Sequence, residues 1–187
     1  MSYRPITDFW FLARARLKGG VKYYGAYLGG FPERARVLIG CGINEPLLHV
    51  CGGMARLYPY KLGFGPNDKT LDLAPECEPD FLQDALAPLP MHAGGSLWPG
   101  ILIDPPYSPE DAKHYTPGIM NYPSPRKLLA NALRSVAVGG KVGLLHYVPP
   151  KPPPDARFVA CVAVACGFEN RLRCFSVFER LEEKGQP

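Results

Sequence analysis

The stretch that decides the fold is WPGILIDPPYSPEDAKHY, residues 98–115. Gly100 to Ile103 is apolar throughout, and the run stops at Asp104-Pro105-Pro106-Tyr107. A proline cannot donate to a sheet ladder, and it pushes the preceding residue toward extended geometry. The backbone must therefore leave a strand here along a stiff path, with an acid at the strand's end. A capped turn could use the same residues, so the surrounding segments have to decide what is being presented.

Working outward, short apolar runs punctuated by Gly or Pro recur at PLLHVCGG (46–53), KTLDLAP (69–75), GKVGLLHYVPP (140–150) and RLRCFSVFERL (171–181). Each reads as a strand. Between the later ones lie SPRKLLANALRSVAVGG (124–140) and PDARFVACVAVACGF (154–168), which read as helices by length, Ala and Leu content and terminal glycines. ITDFWFLARARLKGG (6–20), with Thr7 or Asp8 as N-cap, predicts a short N-terminal helix, and FPERARVLIG (31–40), with Pro32 at its start and Gly40 at its end, predicts another. Strands apolar on nearly every residue suit a sheet covered on both faces. The expected fold is therefore α/β, a mostly parallel central sheet flanked by helices. In such sheets ligands sit beyond the carboxyl ends of the strands. Asp72, Asp84 and Asp104 all fall there.

A chain of 187 residues without internal repeats is expected to form one domain, 1–187, in which residues 1–45 are a basic helical segment and 46–181 the core. Its 22 prolines and 20 glycines imply many short connections. No apolar run reaches membrane-span length and no secretory-signal pattern opens the chain, so a cytoplasmic protein without membrane contact is expected. Six cysteines without a Cys-x-x-Cys pair and four scattered histidines predict no metal site. The net charge is only +4, yet residues 1–40 carry Arg4, Arg14, Arg16, Lys18, Lys22, Arg34 and Arg36 against Asp8 and Glu33. Residues 70–90 carry five acids and no base. In RARLKGGVKYYGAY (14–27) bases alternate with tyrosines, a pattern suited to single-stranded or flipped-out nucleotides, although tyrosines packing a helix on the sheet would look the same.

The residues resemble the class I S-adenosylmethionine-dependent methyltransferases, specifically the amino-methyltransferases of exocyclic nucleobase amines, from about Leu47 to Leu181. Their hallmark, Asp/Asn-Pro-Pro-Tyr/Phe after the fourth strand, stands here as Asp104-Pro105-Pro106-Tyr107. A Gly-rich turn after the first strand and acids after the second and third match LLHVCGG, TLDL and FLQDAL. The family's Phe-x-Gly-x-Gly becomes Cys51-Gly52-Gly53-Met54-Ala55. A competing glycine turn, VLIGCG (37–42), lies further from Asp72, whereas nucleotide-binding units place their acid about 20 residues past the turn.

The resemblance implies a Rossmann-like fold whose last strand runs antiparallel, with S-adenosylmethionine as cofactor. It places that cofactor against His49, Cys51, Gly52 and Gly53, with Asp72 and Leu73 at the ribose and Asp84 and Ala85 at the adenine; Asp80 competes with Asp84, and Asp68 is the reserve for Asp72. Both principal acids could instead be capping turns. Asp104 and the Pro105 carbonyl would accept the two N–H bonds of the target amine, held in place by Pro106, and Tyr107 would stack on the base. Arg14, Arg16, Lys22, Tyr23, Tyr24, Tyr115 and Tyr122 are the candidate substrate contacts, because no segment is long enough for a separate target-recognition domain. The expected partner is nucleic acid, DNA before RNA, with adenine N6 as acceptor. A guanine amine, RNA or protein glutamine would use nearly the same motif, and a silent binding module of the same fold is the non-enzymatic alternative.

Overall fold

A computed structural model describes residues 3–59, 62–115, 122–167 and 169–182. In chain order the elements are β1 (Ile6–Leu12), α1 (Phe31–Ile39), β2 (Leu47–Val50), β3 (Lys69–Asp72), β4 (Phe81–Leu82), β5 (Trp98–Ile103), α2 (Pro109–Tyr115), α3 (Pro125–Arg134), β6 (Val136–His146), β7 (Ala156–Cys166) and β8 (Glu169–Arg180). The eight strands form one sheet in the order β1-β7-β8-β6-β5-β2-β3-β4. β8 runs antiparallel to β6 and β7, and every other pair is parallel.

The unbroken apolarity of the central strands follows from a core on each face. Leu47 of β2 and Leu102 of β5 pack with Phe31, Ala35 and Ile39 of α1. Their chain neighbours Leu48, Val50, Ile101 and Ile103 pack on the other face with Leu128, Leu129, Ala132 and Leu133 of α3. Alternate residues thus enter opposite layers. α1 ends at Gly40, whose φ of 78° is left-handed and whose amide reaches back to the Arg36 and Val37 carbonyls. VLIGCG is therefore a helix terminus, and β2 is the strand before the glycine turn.

Two sequence expectations are corrected. Residues 6–12 form a strand, β1, paired in parallel with β7, so the first 45 residues contribute to the shared sheet and are not a helical appendage. Asp8 is no N-cap: its carboxylate accepts from the Phe9 amide and the Trp10 indole, both at 2.8 Å. Trp10 turns inward against Phe31 and Phe175, while Phe9 and Phe11 stay exposed; this period of two decides the structure. The Ala-rich segment before Gly167 is also a strand, β7. Ala160, Val162, Val164 and Cys166 are buried at every second position, a strand signal that the Ala content disguised. The connection from β6 to β7, residues 147–155, carries five prolines and no helix; extended proline-rich chain covers the distance that a helix would otherwise span.

β2 has β3 on one side and β5 on the other. The loops leaving β2 and β5 therefore diverge and open a crevice at the carboxyl edge of the sheet.

Candidate active site

At the end of β2 the chain turns sharply through Cys51 (φ 54°) and Gly53 (φ 48°). A Cβ at Gly52 would stand 3.0 Å from both His49 Cβ and the His49 carbonyl oxygen, and one at Gly53 would stand 2.8 Å from the Tyr23 ring. A side chain at Gly53 would be strained on both counts, and one at Gly52 would crowd the strand end. Asp72, at the end of β3, ties this turn down: Oδ2 accepts from the Gly53 amide at 2.8 Å and Oδ1 from the Ala74 amide at 3.0 Å. Asp84 Oδ1 accepts from the Leu86 amide at 2.8 Å. Asn131 of α3, which sequence reasoning missed, donates to the Ala85 and Ala87 carbonyls at 2.8 and 2.6 Å and so fixes the third loop.

These loops enclose a cavity of about 270 Å³ lined by Cys51, Gly52, Gly53, Asp72, Leu73, Asp84 and Ala85, and also by Asp104 and Pro106. Residues 14–28 double back over it through an antiparallel bridge between Arg14 and Leu28. Beside it lies a wider cleft of about 830 Å³, lined by Arg14, Arg16, Lys22, Tyr24, Tyr107, Asp111, Arg171 and Arg173. Tyr23, Gly25, Tyr27 and Tyr115 line both spaces and form the wall between them. The hydroxyl of Tyr115 sits where a Cβ on Gly25 would fall, only 1.8 Å away, and Gly25 has φ 79°. Gly25→Ala must displace Tyr115; a clear change in acceptor affinity, with the sheet intact by circular dichroism, is the expected result.

Asp104 follows β5 directly, and its amide extends the ladder by donating to the Val50 carbonyl at 3.1 Å. Burial pushes its carboxyl up to about 7, against the opposing pull of the Tyr107 hydroxyl and the Arg173 guanidinium. The Tyr107 hydroxyl donates to Asp104 Oδ1 at 2.5 Å.

Several expected site residues stand elsewhere. His49 is fully buried beneath the glycine turn, with Nδ1 3.3 Å from the Tyr27 hydroxyl and Nε2 3.2 Å from Asp68, and it does not line the cavity. Asp68 is no reserve for the ribose, because it is buried in an ion pair with Arg36 and accepts from the Leu47 and Gly65 amides. Burial alone would raise the Asp68 carboxyl, but the bonds from His49, Arg36 and Gly65 outweigh it and lower its pKa. Asp80 is likewise committed, to Arg56, Lys69 and Thr70; these bonds overcome burial and lower its pKa to about 2.

The Tyr107 ring, expected to stack on a base, is occupied: the Arg173 guanidinium lies 5.4 Å over it, with His146 and Tyr147 against it at 5.8 and 5.1 Å. Tyr122 stands behind the motif rather than in the cleft, its hydroxyl 2.9 Å from the Tyr107 carbonyl and 2.6 Å from His146 Nε2. Tyr23 bonds the Cys77 thiol at 3.1 Å, and Tyr24 donates to Asp111 at 2.8 Å. Sequence reasoning also missed Arg171 and Arg173, although their spacing of two in β8 places both on one face of a strand. Of the segment after the motif, residues 116–121 lie outside the described residues.

No protein-family model and no curated protein matches the sequence. Among solved structures, TrmN from Thermus thermophilus is similar over 84% of this chain with a TM-score of 0.59 at 19% identity, and this chain spans 50% of its length. HI0767 from Haemophilus influenzae, provisionally named a methylase, is similar over 92% of this chain and 99% of its own, with a TM-score of 0.51 at 10% identity. With the strand order and the antiparallel β8, this likeness gives the chain a Rossmann-like methyltransferase fold.

Proposed function

We propose that this chain is an S-adenosylmethionine-dependent N-methyltransferase acting on an exocyclic nucleobase amine, with adenine N6 in DNA as the first acceptor to test. The observation that carries it is Asp104, the first residue of Asp104-Pro105-Pro106-Tyr107, lining the glycine-floored cavity and bonded to Tyr107 in the cation-lined cleft. The cavity suits the cofactor: its glycine floor admits no side chain, and Asp72 and Asp84 face it from successive loops. S-Adenosylmethionine, when bound, supplies an electrophilic methyl group on a sulfonium.

The protein's part is orientation. The lone pair of an exocyclic amine is delocalised into the ring and has to be localised before it can attack. Since Oδ1 of Asp104 is bonded by Tyr107, Oδ2 is the oxygen left for one amine N–H, and the Pro105 carbonyl takes the other. Proline fixes that carbonyl's direction and brings no donor of its own. Two acceptors so placed draw the nitrogen toward tetrahedral geometry, and alignment of this kind supplies several kcal/mol. The hydroxyl of Tyr122 holds the Tyr107 carbonyl, so the motif is braced from behind.

Two measurements test the binding half of this proposal. Gly53→Ala introduces a side chain against Tyr23 at a left-handed φ, so S-adenosylmethionine affinity by calorimetry should fall roughly tenfold or more, a loss of about 1.4 kcal/mol. Wild-type affinity in that variant would move the cofactor elsewhere. Binding of a short oligonucleotide should weaken with salt at a log–log slope of about −0.7 to −0.9 per phosphate contact. Arg14→Gln with Arg16→Gln should reduce that slope by roughly 1.5 and leave the cofactor constant alone. A flat wild-type dependence would remove nucleic acid as the acceptor.

A further inference from the structure

Arg173 has no place in the motif, yet the fold brings it there. It leaves β8 opposite Val164 of β7, lines the acceptor cleft, and lies with its guanidinium 5.4 Å over the ring of Tyr107. That ring's hydroxyl is bonded to Asp104 Oδ1. Arg173, Tyr107 and Asp104 therefore form a contiguous stack from cleft to cavity.

The groups that bear electrostatically on Asp104 come from every element around it. They are the Cys51 thiol from the turn after β2, the Tyr27 hydroxyl from the N-terminal arm, Tyr107 from its own loop, Tyr115 from α2, and Arg173 from β8. Burial raises the pKa of all three tyrosines and of the thiol, so none of them carries charge near neutrality. The other acids lining the cavity, Asp72 and Asp84, accept from backbone amides, those of Gly53 and Ala74 and that of Leu86. Arg173 is the cation of this set.

We propose that Arg173 is a positioning residue for the transfer step: it holds Asp104 in the ionised, Tyr107-bonded form that accepts the amine, and it keeps the Tyr107 ring in place by lying across its face. This rests on Asp104 being the amine's acceptor. A protonated Asp104 would present a hydroxyl in place of an acceptor oxygen, so the cation over Tyr107, acting with the Tyr107 hydroxyl against the upward push of burial, lowers the pH below which the motif fails. It also assigns the Tyr107 face to an arginine rather than to a base, which leaves Tyr23, Tyr24, Tyr27 and Tyr115 as the other aromatic side chains lining the cleft. Arg171, two residues earlier, pairs with Asp111 at 3.2 Å.

The test is carboxyl-carbon magnetic resonance on aspartate-labelled protein, with Asp104→Asn assigning the signal and neither methyl donor nor acceptor present. The wild-type midpoint is expected near 7. Arg173→Gln should raise it by roughly one unit or more, because the opposite charge that favours the carboxylate is removed. Arg173→Lys should stay near wild type, as should Arg171→Gln. The acid limb of kcat should move with the titration. An unchanged midpoint in Arg173→Gln, or an Arg173→Lys midpoint equal to that of Arg173→Gln, overturns the assignment; Arg173→Met takes the place of Arg173→Gln if that chain does not fold. Since the titration needs no substrate, a wild type that shows these shifts but transfers no methyl group would count against the activity and in favour of the Arg173 coupling.

Discussion

Asp104→Ala is expected to transfer no detectable methyl group while binding S-adenosylmethionine nearly as wild type. The carboxylate lines the cavity beside the Tyr107 bond, and the cofactor's floor and clamp are supplied by other residues, Gly52, Gly53 and Asp72. Loss of one preorganised group at a reacting centre costs about 100- to 1,000-fold in rate, and here misalignment of Tyr107 adds to it. Full activity in this variant would remove Asp104 from the chemistry.

The isosteric Asp104→Asn carries a stability signature as well. Burial lifts the folded-state pKa to about 7, so between the ordinary carboxylate range and that value the folded state holds a proton which the unfolded state has released. Stability therefore declines as pH rises through this window, and the full penalty, at most about 4 kcal/mol, is present above it. Asp104→Asn should match wild type in urea melts at pH 4 and exceed it at pH 8. Parallel stability curves at the two pH values would show that the carboxyl is not strained by burial.

Asp68→Ala should produce the largest loss of stability. The residue joins α1 through Arg36, β2 through His49 and the Leu47 amide, and the 65–68 turn through the Gly65 amide, and its side chain is fully buried. Removing one partner from a buried ion pair leaves an uncompensated charge and costs about 3–5 kcal/mol, a large share of the 5–15 kcal/mol typical of a whole domain. Because its pKa is lowered in the fold, the contribution of Asp68 is present at neutral pH and is lost as pH falls through the folded value. The measurement is chemical denaturation of Asp68→Ala beside Arg36→Met with Asp68→Leu. The apolar pair should recover only the part due to the uncompensated charge, because the buried Leu47 and Gly65 amides still lose their acceptor. A single variant as stable as wild type would show that the network is not structural.

The carboxyl ends of the strands were legible because their chemistry is local: an acid before two prolines, glycines where no Cβ fits, an acid at the end of β3. What the sequence concealed depends on partners distant in the chain. β1 and β7 read as helices in the sequence because the alternation of β1 is short and its ladder partner lies about 150 residues on, and β7 hides an alternation of two behind residues that also favour helices. His49 was placed at the cofactor by its neighbours in sequence, yet its alternation with Leu48 and Val50 turns it to the α1 face, where Asp68 waits. Tyr107 was assigned to a base because nothing in Asp104-Pro105-Pro106-Tyr107 announces an arginine 66 positions later on β8, 5.4 Å over its ring. Arg171 and Arg173 carried a weaker sign, two bases of one strand face opening toward the edge where the acids lie.

The most direct test of the central claim is transfer of labelled methyl from S-adenosylmethionine to matched DNA and RNA oligonucleotides, with the modified nucleoside identified by mass spectrometry and Asp104→Ala run in parallel. The account predicts label on the N6 amine of adenine, made by wild type and absent with the variant. Label on a carbon or an oxygen, or equal transfer by Asp104→Ala, would contradict it.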